Sequence, residues 1–200
     1  GDSEAGWFQG IYSIVGSVDL ILGMVIVAAF PRLTADYQLS VQQLNYQAGR
    51  IIKLIVISIF PFVFLVSYFS PVIIGLLLGS EYAPSAMLLR VTVWTVLPFA
   101  AANLFGNMLI IVRHEKKFAI GSMAIFIIAM FVYGIGLRFW GIAGGAAAAC
   151  IVDLLMAVIF GGMMYKLIKI DKLICLKMGL AVIIFCCVFV IFRNLAWVNG

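Results

Sequence analysis

Charge is scarce in this chain. Only 10% of its 200 residues are Asp, Glu, Lys or Arg, against about 25% in a soluble globular domain. It has a single histidine, His114, and five prolines. No GxSxG, HExxH, Walker loop or DxD-like acid pair occurs, so the residues offer no equipment for hydrolysis, metal-assisted chemistry or nucleotide binding, and the chain reads as a non-enzyme. The four cysteines, Cys150, Cys175, Cys186 and Cys187, lie in or beside apolar runs without CxxC spacing, which favours packed thiols over metal or redox roles. No basic stretch precedes an apolar one at the start, so the beginning does not read as a signal peptide.

What fills the chain is apolar surface. Hydrophobic residues make up 66% of it, and the mean hydropathy is +1.22. A water-soluble fold of this composition could not cover its surface with polar groups, so the bilayer is the solvent. The net charge of +5 would point to nucleic acid only if it formed a patch on a soluble face. The basic residues instead form short clusters between apolar runs, where lipid head groups and membrane topology account for them, and no nucleic-acid partner is expected.

A bilayer core about 30 Å thick needs roughly 20 apolar residues in a helix. Six runs satisfy this: 5–30, 54–78, 83–112, 118–137, 141–165 and 173–192. They are continuous and do not alternate every second residue, so they are helices and not barrel strands. The expected fold class is all-α, a polytopic transmembrane bundle of about six helices. Residues 1–167 would form a five-helix bundle and 168–200 an additional helix, with Pro31 stopping the first span. The link 32–53 places Leu33, Tyr37, Val41, Leu44 and Ala48 at helical spacing. It predicts an amphipathic helix on the membrane surface, or an extension of the second span.

Ten of the 13 basic residues fall on alternate loops: Arg32, Arg50 and Lys53; Arg113, Lys116 and Lys117; Lys166, Lys169, Lys172 and Lys177. Asp2, Glu4, Glu81, Arg138 and Arg193 fall on the other side. The positive-inside rule puts the basic loops in the cytoplasm. The first helix then enters from outside, which implies a preceding helix and reads as a fragment of a longer protein.

Three motifs occur in order. The first helix reads GWFQGIYSIVG and leaves through FPRL; an outer loop reads LLLGSEYAPSAMLLRV, with Gly79 and Tyr82 ahead of a leucine-rich helix; the fifth span reads WGIAGGAAAACIVD. Together they resemble the C-terminal half of the Wzx-type polysaccharide flippases of the multidrug/oligosaccharidyl-lipid/polysaccharide exporter superfamily. The resemblance covers nearly the whole chain, although each motif alone is common in membrane helices. It implies two six-helix lobes with 12 or 14 helices in the full protein, the first helix here matching the eighth and the N-lobe missing. It also implies alternating-access flipping of a lipid-linked oligosaccharide or polysaccharide precursor, such as one for O-antigen, across a bacterial cytoplasmic membrane. No cofactor is implied beyond a coupling ion, H⁺ or Na⁺; the partners would be the lipid-linked glycan, membrane lipids and the N-lobe. Drug/cation antiport and lipid II flipping are the alternatives within the superfamily, and a membrane polymerase or glycosyltransferase is the alternative outside it.

Candidate site residues follow from cost and spacing. An ionised carboxylate at mid-membrane costs roughly 2.5–3.5 kcal/mol even on insertion scales, so Asp19 needs a partner, a polar cavity or a proton. Tyr12, Gly16, Asp19 and Gly23 share one helix face. This face is either a cavity wall with Asp19 as an ion-coupling acid, or a packing face with an interhelical hydrogen bond. Asp153 ends the stripe Gly141, Gly145, Ala149, where small residues let helix backbones approach; it is a second coupling acid or a packed one. Arg90 suits a diphosphate or the outer head groups, or an ion pair with Glu81. Asn103 and Asn107, one turn apart beyond Pro98, could bind sugar hydroxyls or glue helices. Arg113, Lys116 and Lys117 set topology or recruit an anionic head group. Pro61, Pro71 and Pro98 supply bends.

Overall fold

The computed structural model describes residues 2–83 and 85–168. The expected span 173–192, and with it Cys175, Cys186, Cys187, Lys169, Lys172, Lys177 and Arg193, lies outside the described residues. Within them the chain is an all-α helical bundle: α1 (Asp2–Leu39), α2 (Val41–Tyr68), α3 (Ser70–Leu77), α4 (Ser85–Thr92), α5 (Val96–Ile111) and α6 (Glu115–Ile168). Short 3₁₀ turns at Ser80–Tyr82 and Val93–Thr95 join α3 to α4 and α4 to α5. Four helices are long and apolar enough to cross a membrane, with α4 and α5 counting as one span.

The last of the four is not one rod. Gly141 has φ 55° and ψ −138°, a non-helical conformation open to glycine and strained for any L side chain. In an unbroken helix, residues eight apart are separated by about 12 Å. Here a Cβ built on Gly136 would lie 2.7 Å from the carbonyl oxygen of Gly144. Further along, the Phe118 and Phe160 rings are 5.2 Å apart, and a Cβ on Gly121 would lie 3.1 Å from both Phe160 and Met163. The two arms of α6, 115–140 and 142–168, therefore fold back on each other as an antiparallel hairpin. Each arm is about 40 Å long at 1.5 Å per residue, enough to cross a bilayer. These arms correspond to the fourth and fifth expected spans, so the five spans expected within the described residues are formed by four helices, one of them doubled.

Two expectations, at Pro31 and in the link, are corrected. Pro31 does not stop the first helix: α1 runs through it to Leu39. Proline costs α1 one backbone hydrogen bond, but Leu33 and Asp36 beyond it are buried, and Leu33 shares a core cluster with Leu44 and Ala48 of α2. The link 32–53 is accordingly not a separate surface helix. It is the end of α1 and the start of α2, divided at Ser40, whose extended backbone breaks the helix and whose hydroxyl accepts from the Gln43 N–H at 3.0 Å. Its stripe is real in part: Leu33, Leu44 and Ala48 are buried, Tyr37 is half-buried and Val41 is exposed. Pro98 falls near the middle of the third span, as the run 83–112 predicts, and sits in the first turn of α5, which begins at Val96. The irregularity falls one turn earlier, in the 3₁₀ segment Val93–Thr95, where the ring would otherwise oppose the Trp94 carbonyl. Pro71 likewise starts α3, while Pro61 lies inside α2.

Two core clusters mark the two ends of the bundle. Ile26, Leu33, Leu44, Ile52, Leu109 and Met164 belong to one; Ile11, Val15, Ile59, Val63, Ile74 and Leu89 belong to the other. The sharing of Ile26 with Ile52, and of Val15 with Val63, makes α1 and α2 antiparallel about Ser40. In the second cluster the Ser67 hydroxyl donates to the Arg90 carbonyl at 3.0 Å and accepts from the Trp94 indole N–H at 3.3 Å, tying α2 to α4.

The turn into α6 carries a cost. Arg113 has φ 60°, the left-handed region, in a motif where the His114 N–H reaches the Leu109 carbonyl at 2.8 Å and the Arg113 N–H reaches Ile110 at 3.0 Å. This pairing caps α5 and normally takes glycine. Arg113→Gly is expected to raise thermal stability by about 0.5–1 kcal/mol, read as an increase in Tm of the purified protein.

Candidate functional site

The apolar face of α1 places Tyr12, Gly16, Asp19 and Gly23 in one line, as the spacing predicts. What it faces is decided by the packing. A Cβ on Gly23 would lie 3.7 Å from Asn103 Nδ2 on α5, and Phe8, stacked on Tyr12 at 5.9 Å, lies 3.8 Å from a Cβ on Gly145 in the second arm of α6. Asp19 and Asp153 come within electrostatic reach of each other. Tyr133, on the first arm, is within reach of both Tyr12 and Asp153. A Cβ on Gly16 would meet nothing within 4 Å, so the line between Tyr12 and Asp19 borders open space. One carboxylate oxygen of Asp19, Oδ1, is buried without a hydrogen-bond partner.

Three of the expected residues, Tyr12, Asp19 and Asp153, are thus brought together from two helices far apart in sequence, and Tyr133 joins them. Sequence reasoning passed over Tyr133, although a signal was there: it is the one side chain with a polar group between Ser122 and Arg138 in a long apolar run. Two carboxylates opposed at mid-membrane repel strongly where the dielectric is low. A proton or a monovalent cation held between them removes that repulsion. Among the described residues, no group of three or more His, Cys, Asp and Glu could hold a metal ion. The small-residue stripe also sits slightly off expectation. The backbones approach most closely at Gly136 and Gly144, one residue before Gly145, because the turn at Gly141 brings that pair face to face.

Asn103 and Asn107 border a separate cleft of about 430 Å³ between α5 and both arms of α6. The Asn107 side-chain amide donates to the Asn103 carbonyl and to Asn103 Oδ1, both at 2.8 Å. The pair is therefore partly satisfied within its own helix. Of the 14 residues lining the cleft, only these two and Ser122 carry polar side chains; Phe99, Phe118, Phe126 and Phe160 are among the rest.

Arg90 is placed elsewhere. It lies half-buried on α4 and does not line the cleft, so it forms no strip with the asparagines. Arg113, Lys116 and Lys117 are exposed at the opposite end of the bundle from the Ser80–Tyr82 turn, with Glu115 among them. His114 is half-buried, and its Nδ1 lies 2.9 Å from the Val112 carbonyl oxygen, a local contact and not a ligand arrangement. Asp36, which the link reading left on a polar surface, is 8% exposed, with Oδ2 buried and unpaired. No protein-family model, curated protein or solved structure matches this chain.

Proposed function

We propose that this chain is the C-terminal lobe of a cation-coupled membrane transporter, and that its cargo is a lipid-linked oligosaccharide or polysaccharide precursor flipped by alternating access. The observation that carries the coupling is the Asp19–Asp153 pair, two acids of membrane-crossing segments of α1 and α6 within electrostatic reach of each other, with Asp19 Oδ1 buried and without a hydrogen-bond partner and open space beside Gly16. A binding site at the midplane, formed between helices that move against each other, is how secondary transporters link an ion to a cargo. The cargo assignment rests on the three-motif resemblance to the Wzx-type flippases. Helix irregularities at Phe69, Val93–Thr95 and Gly141 provide places where the bundle can bend as it opens. In this reading the basic ends of α1, α2, α5 and α6 face the cytoplasm of a bacterial cell, as the positive-inside rule requires.

The complete polypeptide, reconstituted in vesicles with a fluorescent lipid-diphosphate oligosaccharide, tests the proposal. Translocation is expected to exceed that of protein-free vesicles and to accelerate under an imposed proton or sodium gradient. Translocation no faster than in empty vesicles overturns the flippase reading. Gradient-driven efflux of a small organic cation in its place moves the protein to the antiporter class.

A further inference from the structure

The cleft between α5 and α6 has neither acid of the carboxylate cluster in its lining and has its own chemistry. Its wall on α5 follows Phe99, Ala102, Gly106 and Ile110; its wall on the first arm of α6 follows Phe118, Ser122, Ile125 and Ala129. Both are single helix faces within membrane-crossing segments. Ile110 and Phe126 stand exposed at its rim, so the cleft opens to the side. The Asn107 side-chain amide donates to Asn103 Oδ1, which satisfies part of the pair's hydrogen bonding and lowers the polar demand of the wall.

Both faces run out at the same end of the bundle. Continuing α5 past Ile110 reaches Arg113, and continuing the α6 face back past Phe118 reaches His114 and Glu115. The Phe118–Phe160 ring contact brings the end of the second arm, with Lys166, to the same level. Arg113, Lys116, Lys117 and Lys166 are all exposed there, and Glu115 is the one acid among them. A slot for a chain thus leads to a collar of positive charge.

We infer that this cleft is a binding site for an anionic phospholipid, one acyl chain lying between α5 and α6 and the phosphate resting on Arg113, Lys116, Lys117 and Lys166. The inference does not depend on the transport reading: it needs only the cleft, the collar and a bilayer. A volume of about 430 Å³ falls within the range of small-molecule sites. Juxtamembrane basic residues near a bilayer surface attract anionic lipid, an attraction that falls off within a Debye length.

The test uses the complete polypeptide in phosphatidylcholine vesicles doped with phosphatidylglycerol carrying a diazirine midway along one acyl chain. A parallel arm uses a phosphatidylcholine with the same photoreactive chain. After illumination, mapped adducts are expected at Phe118, Phe126 and Met156 with the anionic probe, displaced by unlabelled phosphatidylglycerol but not by phosphatidylcholine. Lys116→Gln/Lys117→Gln/Lys166→Gln, confined to exposed positions, is expected to abolish the preference for the anionic probe while general labelling of the exposed Phe131 and Trp140 face persists. Ala129→Trp, filling the cleft, is expected to lose the cleft adducts alone. Equal labelling of cleft and exposed face by both probes overturns the inference. So does a cleft that takes no label, which would be covered by protein, and so does displacement by a polyprenyl phosphate but not by phosphatidylglycerol, which would make it a cargo site.

Discussion

Asp19→Asn is expected to leave the protein folded and to abolish the acceleration of cargo translocation by a proton or sodium gradient. The amide keeps the shape of the carboxylate and removes its charge. In a bilayer interior that charge costs roughly 2.5–3.5 kcal/mol, so its removal should leave Tm unchanged or higher. Under the proposed coupling, in which both acids serve one ion, Asp153→Asn should do the same. The double variant should then be no worse than either single one, the signature of groups that work as a unit. Gradient response is measured in vesicles, and Tm on the same preparations. If the acids instead serve packing, the pattern reverses: Tm falls in each variant and the gradient response survives.

Gly144→Leu is expected to prevent the α6 hairpin from closing. A Cβ at this position would overlap the Gly136 carbonyl oxygen and lie 3.0 Å from the Trp140 Cβ, and backbone cannot swing aside as a flexible side chain can. The loss should exceed about 3 kcal/mol, beyond the ordinary range for point substitutions. Loss of a monodisperse species in detergent, with a collapse of Tm, is the readout. Gly134→Ala supplies the contrast, because a Cβ there meets nothing within 4 Å. On a helical arm this exchange should be neutral or stabilise by about 0.5–1 kcal/mol. Equal behaviour of the two variants would falsify the close approach of the arms.

Parts of the candidate site could be read in advance because they rest on one helix at a time. The line Tyr12, Gly16, Asp19, Gly23 is a matter of 3.6-residue periodicity, and the cost of Asp19 follows from an apolar run around it. What Asp19 opposes could not be read that way. Asp153 lies more than a hundred positions later, and the link between them depends on how α1 packs on the α6 hairpin. Tyr133 escaped notice because tyrosine in an apolar run is ordinary until packing brings it within electrostatic reach of an acid from the other arm. Arg90 and the asparagine pair lie on one apolar run without sharing a face of an ideal helix. The turn at Val93–Thr95 and the separate packing of α4 keep them apart.

Composition and patterning by themselves determined the class of molecule. With 66% hydrophobic residues and 10% charged ones the chain belongs in lipid, where helices or closed barrels satisfy the backbone, and the continuous, non-alternating apolar runs select helices. The segregation of basic residues onto alternate connections was likewise written in one dimension. The tertiary structure decided where a helix continues past a local stop signal, and it gave the expected break between the runs 118–137 and 141–165 its geometry. Packing of Leu33 against α2 carries α1 through Pro31, a local stop signal overruled by burial. A single glycine at φ 55° turns one apolar stretch of Glu115–Leu167 into two antiparallel arms. Only that fold-back sets Tyr133 and Asp153 opposite α1 and opens the cleft beside α5, because contacts between distant segments come from packing and not from local sequence pattern.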